Sequence, residues 1–128
     1  MLKKYNPDTV YAPVAAYYQA VEVPAGARWL VSAGQVGITP DGTLVEDADG
    51  QIAQAWRNVA AIIAAADMTP DDLVKLTIYM VGAEHIVASR GHRESALGGA
   101  MCAATLILVA GLADPAMIIE IDVVAAKA

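Results

Sequence analysis

The chain has 128 residues, of which 57% are hydrophobic, 17% charged and 5% aromatic, the size of a single domain, residues 1–128, able to bury its own core. Eight Lys+Arg against fourteen Asp+Glu give a net charge of −6, which disfavours nucleic acid as a partner. No apolar run reaches the ~20 residues that cross a bilayer, because Gly and Asp interrupt the best stretch between Leu106 and Ile119.

Alternation and turn residues predict strands over Tyr17–Val23 and Arg28–Ala33, joined as a hairpin through Pro24-Ala25-Gly26-Ala27. A further turn is expected at Thr39-Pro40-Asp41-Gly42-Thr43. From Gln51 to Ala66, Ile52, Trp56, Val59 and Ile63 recur at helical spacing, with Asp47 or Asp49 available to accept from the orphan N–H groups at the start. Thr69-Pro70-Asp71-Asp72 reads as a capped single turn leading into a strand over Leu73–Val81. In that strand Val74, Leu76, Ile78 and Met80 are assigned to one face and Lys75, Thr77 and Tyr79 to the wetter one. A second helix is expected over Glu84–Leu97, with Gly91 read as permitting close packing, and two last strands over Thr105–Ala110 and Ile118–Ala125.

The order ββ-α-β-α-ββ implies an α/β protein with a mixed sheet and two helices on one face. Two short helices leave the other face uncovered. In the last strand that face carries Glu120 and Asp122 but also the apolar Ile118 and Val124, and mean hydropathy is high at +0.47. Packing against copies of the same chain is therefore expected.

Chemistry-bearing residues are few. The single Cys102 forms no internal disulfide and reads as a small buried hydrophobe rather than a nucleophile. His85 and His92 lack a third metal ligand, Gly98-Gly99 lacks the rest of a phosphate loop, and no metal or organic cofactor is implied. Trp29 and Trp56 read as packing residues, and Arg90 with Arg93 as a short positive patch too small for RNA. Met1-Leu2-Lys3-Lys4 leads into polar residues rather than an apolar leader, so a cytoplasmic location without membrane association is expected.

Four segments in order, Ala16-Tyr17-Tyr18-Gln19-Ala20, Val31-Ser32-Ala33-Gly34-Gln35, Val74-Lys75-Leu76-Thr77-Ile78-Tyr79 and Ile119-Glu120-Ile121, with the Gln/Trp/Asn helix between them, closely resemble the Rid (YjgF or L-PSP) family from about Asn6 to Ala125. The resemblance implies a chorismate-mutase-like α/β fold assembled as a homotrimer, with small-molecule clefts between subunits. It also implies hydrolysis of imines or enamines, releasing ammonia and a keto acid. On this resemblance Tyr17 is the cleft tyrosine, Gly34 the glycine whose backbone faces ligand, and Glu120 the acidic residue tied to water activation.

Two positions depart from the family pattern. Cys102-Ala103-Ala104-Thr105-Leu106 resembles a stretch reading Pro-Ala-Arg-Ser/Thr in deaminases, so Ala104 stands at the arginine position, and Ser89 stands where those proteins often have Asn. A guanidinium holds a carboxylate through two charge-assisted hydrogen bonds, whereas Ala offers none. The expectation is thus a cytoplasmic, deaminase-like trimer binding and hydrolysing a small imine, enamine or carbonyl metabolite, without efficient turnover of ordinary 2-imino acids. The alternative is a non-catalytic metabolite-binding or regulatory protein on the same fold. Arg28, Arg90 and Arg93 are the cations available to replace the missing one. Asp122 lies on the same side of its strand as Glu120 and is ranked below it.

Overall fold

Alternation of Ile119, Ile121, Val123 and Ala125 with Glu120, Asp122 and Val124 generates the longest strand, β6 (Ile119–Lys127). In the computed structural model, which describes residues 1–128, the first set is buried and β6 lies inside the sheet. It pairs antiparallel with β3 (Arg28–Val31) on one side and β4 (Leu73–Met80) on the other. Beyond β4 comes β5 (Ala103–Leu108), paired parallel, so the order is β3-β6-β4-β5. A parallel neighbour needs a crossover, and α2 (Ile86–Leu97) supplies it. The result is the expected α/β arrangement, two helices on a mixed sheet.

The first helix, α1 (Ala48–Ala65), begins where Asp47 accepts a hydrogen bond from the Gly50 amide at 2.8 Å. Its stripe of Ile52, Ala55, Trp56, Val59 and Ile63 is buried on Leu76, Ile78, Ile121 and Val123 of the sheet. Each large side chain so buried contributes ~1.5–3 kcal/mol. The second helix packs mainly against α1, with Leu97 in the core, and stands off the β5 edge.

Five expectations are corrected. The hairpin does not form: the strand is only β2 (Ala20–Glu22), and it pairs antiparallel with an N-terminal strand, β1 (Lys3–Tyr5), rather than with β3. Gly26 does turn the chain, at φ 80°, but Lys3 opposite Glu22 and the Tyr5 hydroxyl on the Glu22 carboxylate give β2 a better partner. Tyr17 lies outside any strand, and Tyr18 bridges to Ala103 at the β5 edge. Val74 leaves the core face because the register with β6 shifts between Leu73 and Lys75, so Leu73 is buried instead. Gly91 permits no close packing, since a Cβ there meets nothing within 4 Å. Trp29 is 59% exposed beside the exposed Val31, on the face that the helices leave open.

Buried polar side chains fasten the connections to this frame. Gln51 in the first turn of α1 donates to the Ala116 carbonyl at 2.7 Å and accepts from the Ile118 amide at 3.1 Å, holding the loop into β6. Replacing Gln51 with Leu removes both bonds and leaves the part-buried Ile118 amide without its partner. The expected loss is about 1–3 kcal/mol, seen as a lower urea midpoint with an unchanged slope; an unchanged midpoint would show that this clamp contributes nothing.

Candidate active site

Two groups of side chains stand out, on opposite faces of the sheet. The first surrounds Gly34. After β3 the ladder with β6 continues through Ser32 N to Val123 O at 3.0 Å and then through the reciprocal pair Gln35 and Ile121, at 2.7 and 2.9 Å. Three steps along one chain thus face two along the other. The resulting bulge leaves the Ala33 and Gly34 amides out of the ladder. Ser32 closes it, its hydroxyl accepting from the Val123 amide at 3.0 Å and donating to the Ala33 carbonyl at 2.8 Å. A Cβ on Gly34 would overlap the Glu120 carboxylate, so glycine here lets the acid lie directly over the bulge.

Asn58 of α1 pins the next turn, donating to the Val36 and Ile38 carbonyls at 3.1 and 2.9 Å. On the same open face, Tyr79 is opposite Glu120 and Thr77 opposite Asp122. The carboxylates of Asp122 and, less strongly, Glu120 push the Tyr79 phenol above its ordinary pKa, keeping it a neutral donor. Glu120 and Asp122 therefore share one face with Tyr79.

The second group surrounds a cavity of about 620 Å³ between α2 and the β5 edge, within the range of small-molecule sites. Tyr17 and Ala104 line it, with Ser89, Arg90 and Arg93 from α2 and Trp56 and Ile78 at its base. Ala104 pairs with the buried Leu76, which places it on the helix side of the sheet. Ser89 is buried, and its hydroxyl accepts from the Trp56 indole N–H at 3.2 Å. A smaller cavity of about 310 Å³ shares Tyr17 and Ala104 but opens toward Lys75, whose ammonium donates to Thr105 at 2.5 Å.

The remaining candidates fall elsewhere. Arg28 donates to the Ala66 carbonyl at 3.3 Å, capping the end of α1 far from either group. His92 lies 2.8 Å from Asp49 and ties α2 to the start of α1. Cys102 is fully buried, and burial pushes its thiol pKa up against the pull of Arg93 and Lys4, the opposite of an activated nucleophile. Within one chain, Tyr17, Ala104 and Ser89 come together, and so do Gly34 and Glu120. The two groups remain apart, separated by β4 and by the sheet itself.

The family model described as Endoribonuclease L-PSP matches residues 8–127. The chain belongs to the Rid (YjgF/L-PSP) family. The crystal structure of the Rid-family protein YyfB from Yersinia pestis superposes with a TM-score of 0.86 at 32% identity, covering 98% of both chains. A RutC family protein of Aquifex aeolicus is 44% identical over 69 residues, 53% of each chain. A 2-iminobutanoate/2-iminopropanoate deaminase of Salmonella typhimurium is 30% identical over 81 residues, 62% of this chain and 61% of that protein. The matched segments thus span between half and two thirds of these curated relatives.

In this Rid protein Gly34 and Gly37 are among the glycines that make close approaches, and theirs are of different kinds. A Cβ on Gly34 meets the movable end of the Glu120 side chain, whereas one on Gly37 lies 2.6 Å from the Gln51 backbone at the start of α1. Gly37→Ala is therefore expected to cost about 1–3 kcal/mol, and Gly34→Ala clearly less, because a carboxylate swings aside more easily than a helix moves. Urea unfolding of the two variants tests this; the reverse ranking would mean that the Glu120 carboxylate is held rigidly over the bulge.

Proposed function

We propose that the protein is a homotrimer that binds a small imine, enamine or carbonyl compound in clefts between subunits and hydrolyses the C=N substrates among them. The observation that carries this reading is the Gly34 bulge, where two amides are free of the ladder and the Glu120 carboxylate occupies the space a Cβ on Gly34 would take. Donors aimed at a ligand oxygen beside a proton acceptor suit addition of water to a C=N carbon. The kinship with a protein named as a 2-iminobutanoate/2-iminopropanoate deaminase supports the same chemistry. In this reading water bonds to the imine carbon while its proton passes to Glu120. The proton then returns to nitrogen to give a carbinolamine, and the same carboxylate next carries the hydroxyl proton to nitrogen as the C–N bond breaks, so that ammonia leaves and a carbonyl forms. Tyr17 positions the ligand at the other wall.

The trimer supplies what a single chain lacks. Trp29, Val31, Glu120 and Asp122 lie on a face the helices leave open, and the Tyr17 cavity opens at the β5 edge, so neighbouring copies are needed to bring the two groups into one cleft. With Ala at position 104, strand β5 offers an acid substrate no charged donor. Efficient turnover of ordinary 2-imino acids is therefore not part of this reading. The same substitution favours the second reading, a metabolite-binding protein without catalysis. RNA cleavage is disfavoured by the net charge of −6.

Ammonia release from a panel of carboxylated and neutral imines separates these readings. Hydrolysis above the buffer rate, falling at least ~100-fold in Glu120→Gln, is the expected result. Saturable binding with no turnover would favour the binding protein, and turnover unaffected by Glu120→Gln would remove the assigned role of the acid.

A further inference from the structure

Helix α2 carries a cation at a position that its own pattern reserves for the core. Ser89 and Leu97 are each 3% exposed, and Arg93 stands midway between them, four residues from each on the same stripe. Its Nη2 is buried and has no hydrogen-bond partner in the chain. Neither of the two ion pairs present involves it. A buried charged donor left unsatisfied is costly, and such groups ordinarily have a partner. Arg93 lines the cavity beside Ala104, the smallest side chain that could close that wall.

We propose that Arg93 is the anion donor of this cavity and takes the carboxylate of a small ligand from the helix side, in the room that Ala104 leaves. This rests on reading the Tyr17 and Ala104 cavity as the ligand cleft, and adds to it the charge of the ligand and the residue that recognises it.

Charge and lining choose the ligand class. The charged groups on the cavity wall are Arg90, Arg93 and Glu94, one net positive charge, which a monoanion balances. The rest of the wall is mostly apolar, including Trp56, Ile78 and Leu106, which suits a short aliphatic body and offers too few donors for a phosphate dianion. A planar guanidinium fits a carboxylate through two parallel bonds. Burial lowers the Arg93 pKa from its ordinary value, the nearby Cys102 opposing this, and a guanidinium still stays charged in proteins. Arg90 is exposed, and Lys75 is engaged by Thr105 on the other side of the strand. Because the donor comes from α2 and not from β5, the acid end of the ligand is held against the helix. Carboxylate binding and turnover of ordinary 2-imino acids are thus separate properties.

Calorimetric titration with 2-oxobutanoate and butanoate, each against its neutral amide, tests the inference without needing catalysis. The wild-type protein should bind each carboxylate at least about tenfold more tightly than its amide. Arg93→Met should abolish that preference while leaving amide affinity within about twofold, Arg93→Lys should keep part of it, and Arg90→Gln, which removes only a solvent-exposed charge of the wall, should weaken it clearly less than Arg93→Met. Circular dichroism and the unfolding midpoint establish that each variant is folded. If Arg93→Met does not fold, the carboxylate preference of the wild-type protein and its partial retention in Arg93→Lys decide the matter. Equal binding of acids and amides by the wild-type protein would overturn the inference while leaving the cleft intact, and would fit an acidic group of a neighbouring subunit already on Arg93. A carboxylate preference that survives in folded Arg93→Met would overturn it too. Binding of neither class would remove the cleft reading together with it.

Discussion

The structure depends on a sheet that two helices cover on one side only. Strand β6 shows the constraint most clearly: Ile119, Ile121, Val123 and Ala125 are shut into the core, while Glu120 and Asp122 face away from the helices beside Tyr79 and Thr77. The same alternation that builds the core therefore places two carboxylates on the open face. Trp29 and Val31 of β3 add large apolar side chains to it. A surface holding both kinds of group is suited to contact with another chain, with the acids at the edge of the contact.

The site chemistry follows from departures from regular structure on this frame. The ladder between β3 and β6 gains one residue at Gly34, and that bulge frees amides beside Glu120. Helix α2 leans on α1 and not on β5, which opens a cavity, and the inward stripe of α2 puts an arginine into it. Position 104 and position 93 are then two sides of one arrangement. An arginine side chain at 104 would compete for the space and repel the guanidinium of Arg93, whereas alanine accommodates it.

Much of this was legible in the sequence because it is periodic. The α1 stripe, the alternation in β6 and the capped turn at Thr69 each have a local signature that matches the fold. Non-local choices were not legible. Ala20–Glu22 had two possible partners, and nothing in the turn at Gly26 reveals that Lys3–Tyr5 is preferred. The shift near Val74 arises from pairing with β6, so strict alternation misassigned one side chain. Gly34 and Glu120 are joined by a ladder spanning most of the chain, and their separate sequence contexts gave no distance. The Arg93 cavity has one trace in the sequence: Ser89, Arg93 and Leu97 are spaced four apart on one helical stripe, which sets an arginine in line with an apolar residue.

Since the open-face acids and the β5-edge cavity do not meet within one chain, a cleft containing both requires a second copy. The most direct measurement is the native mass of the protein at low micromolar concentration, by mass spectrometry or sedimentation velocity. A closed trimer of the 13.3 kDa chain, ~40 kDa, is the predicted result. A stable 13.3 kDa monomer would leave Glu120 and the Tyr17 cavity on opposite faces of an isolated sheet and would contradict the account.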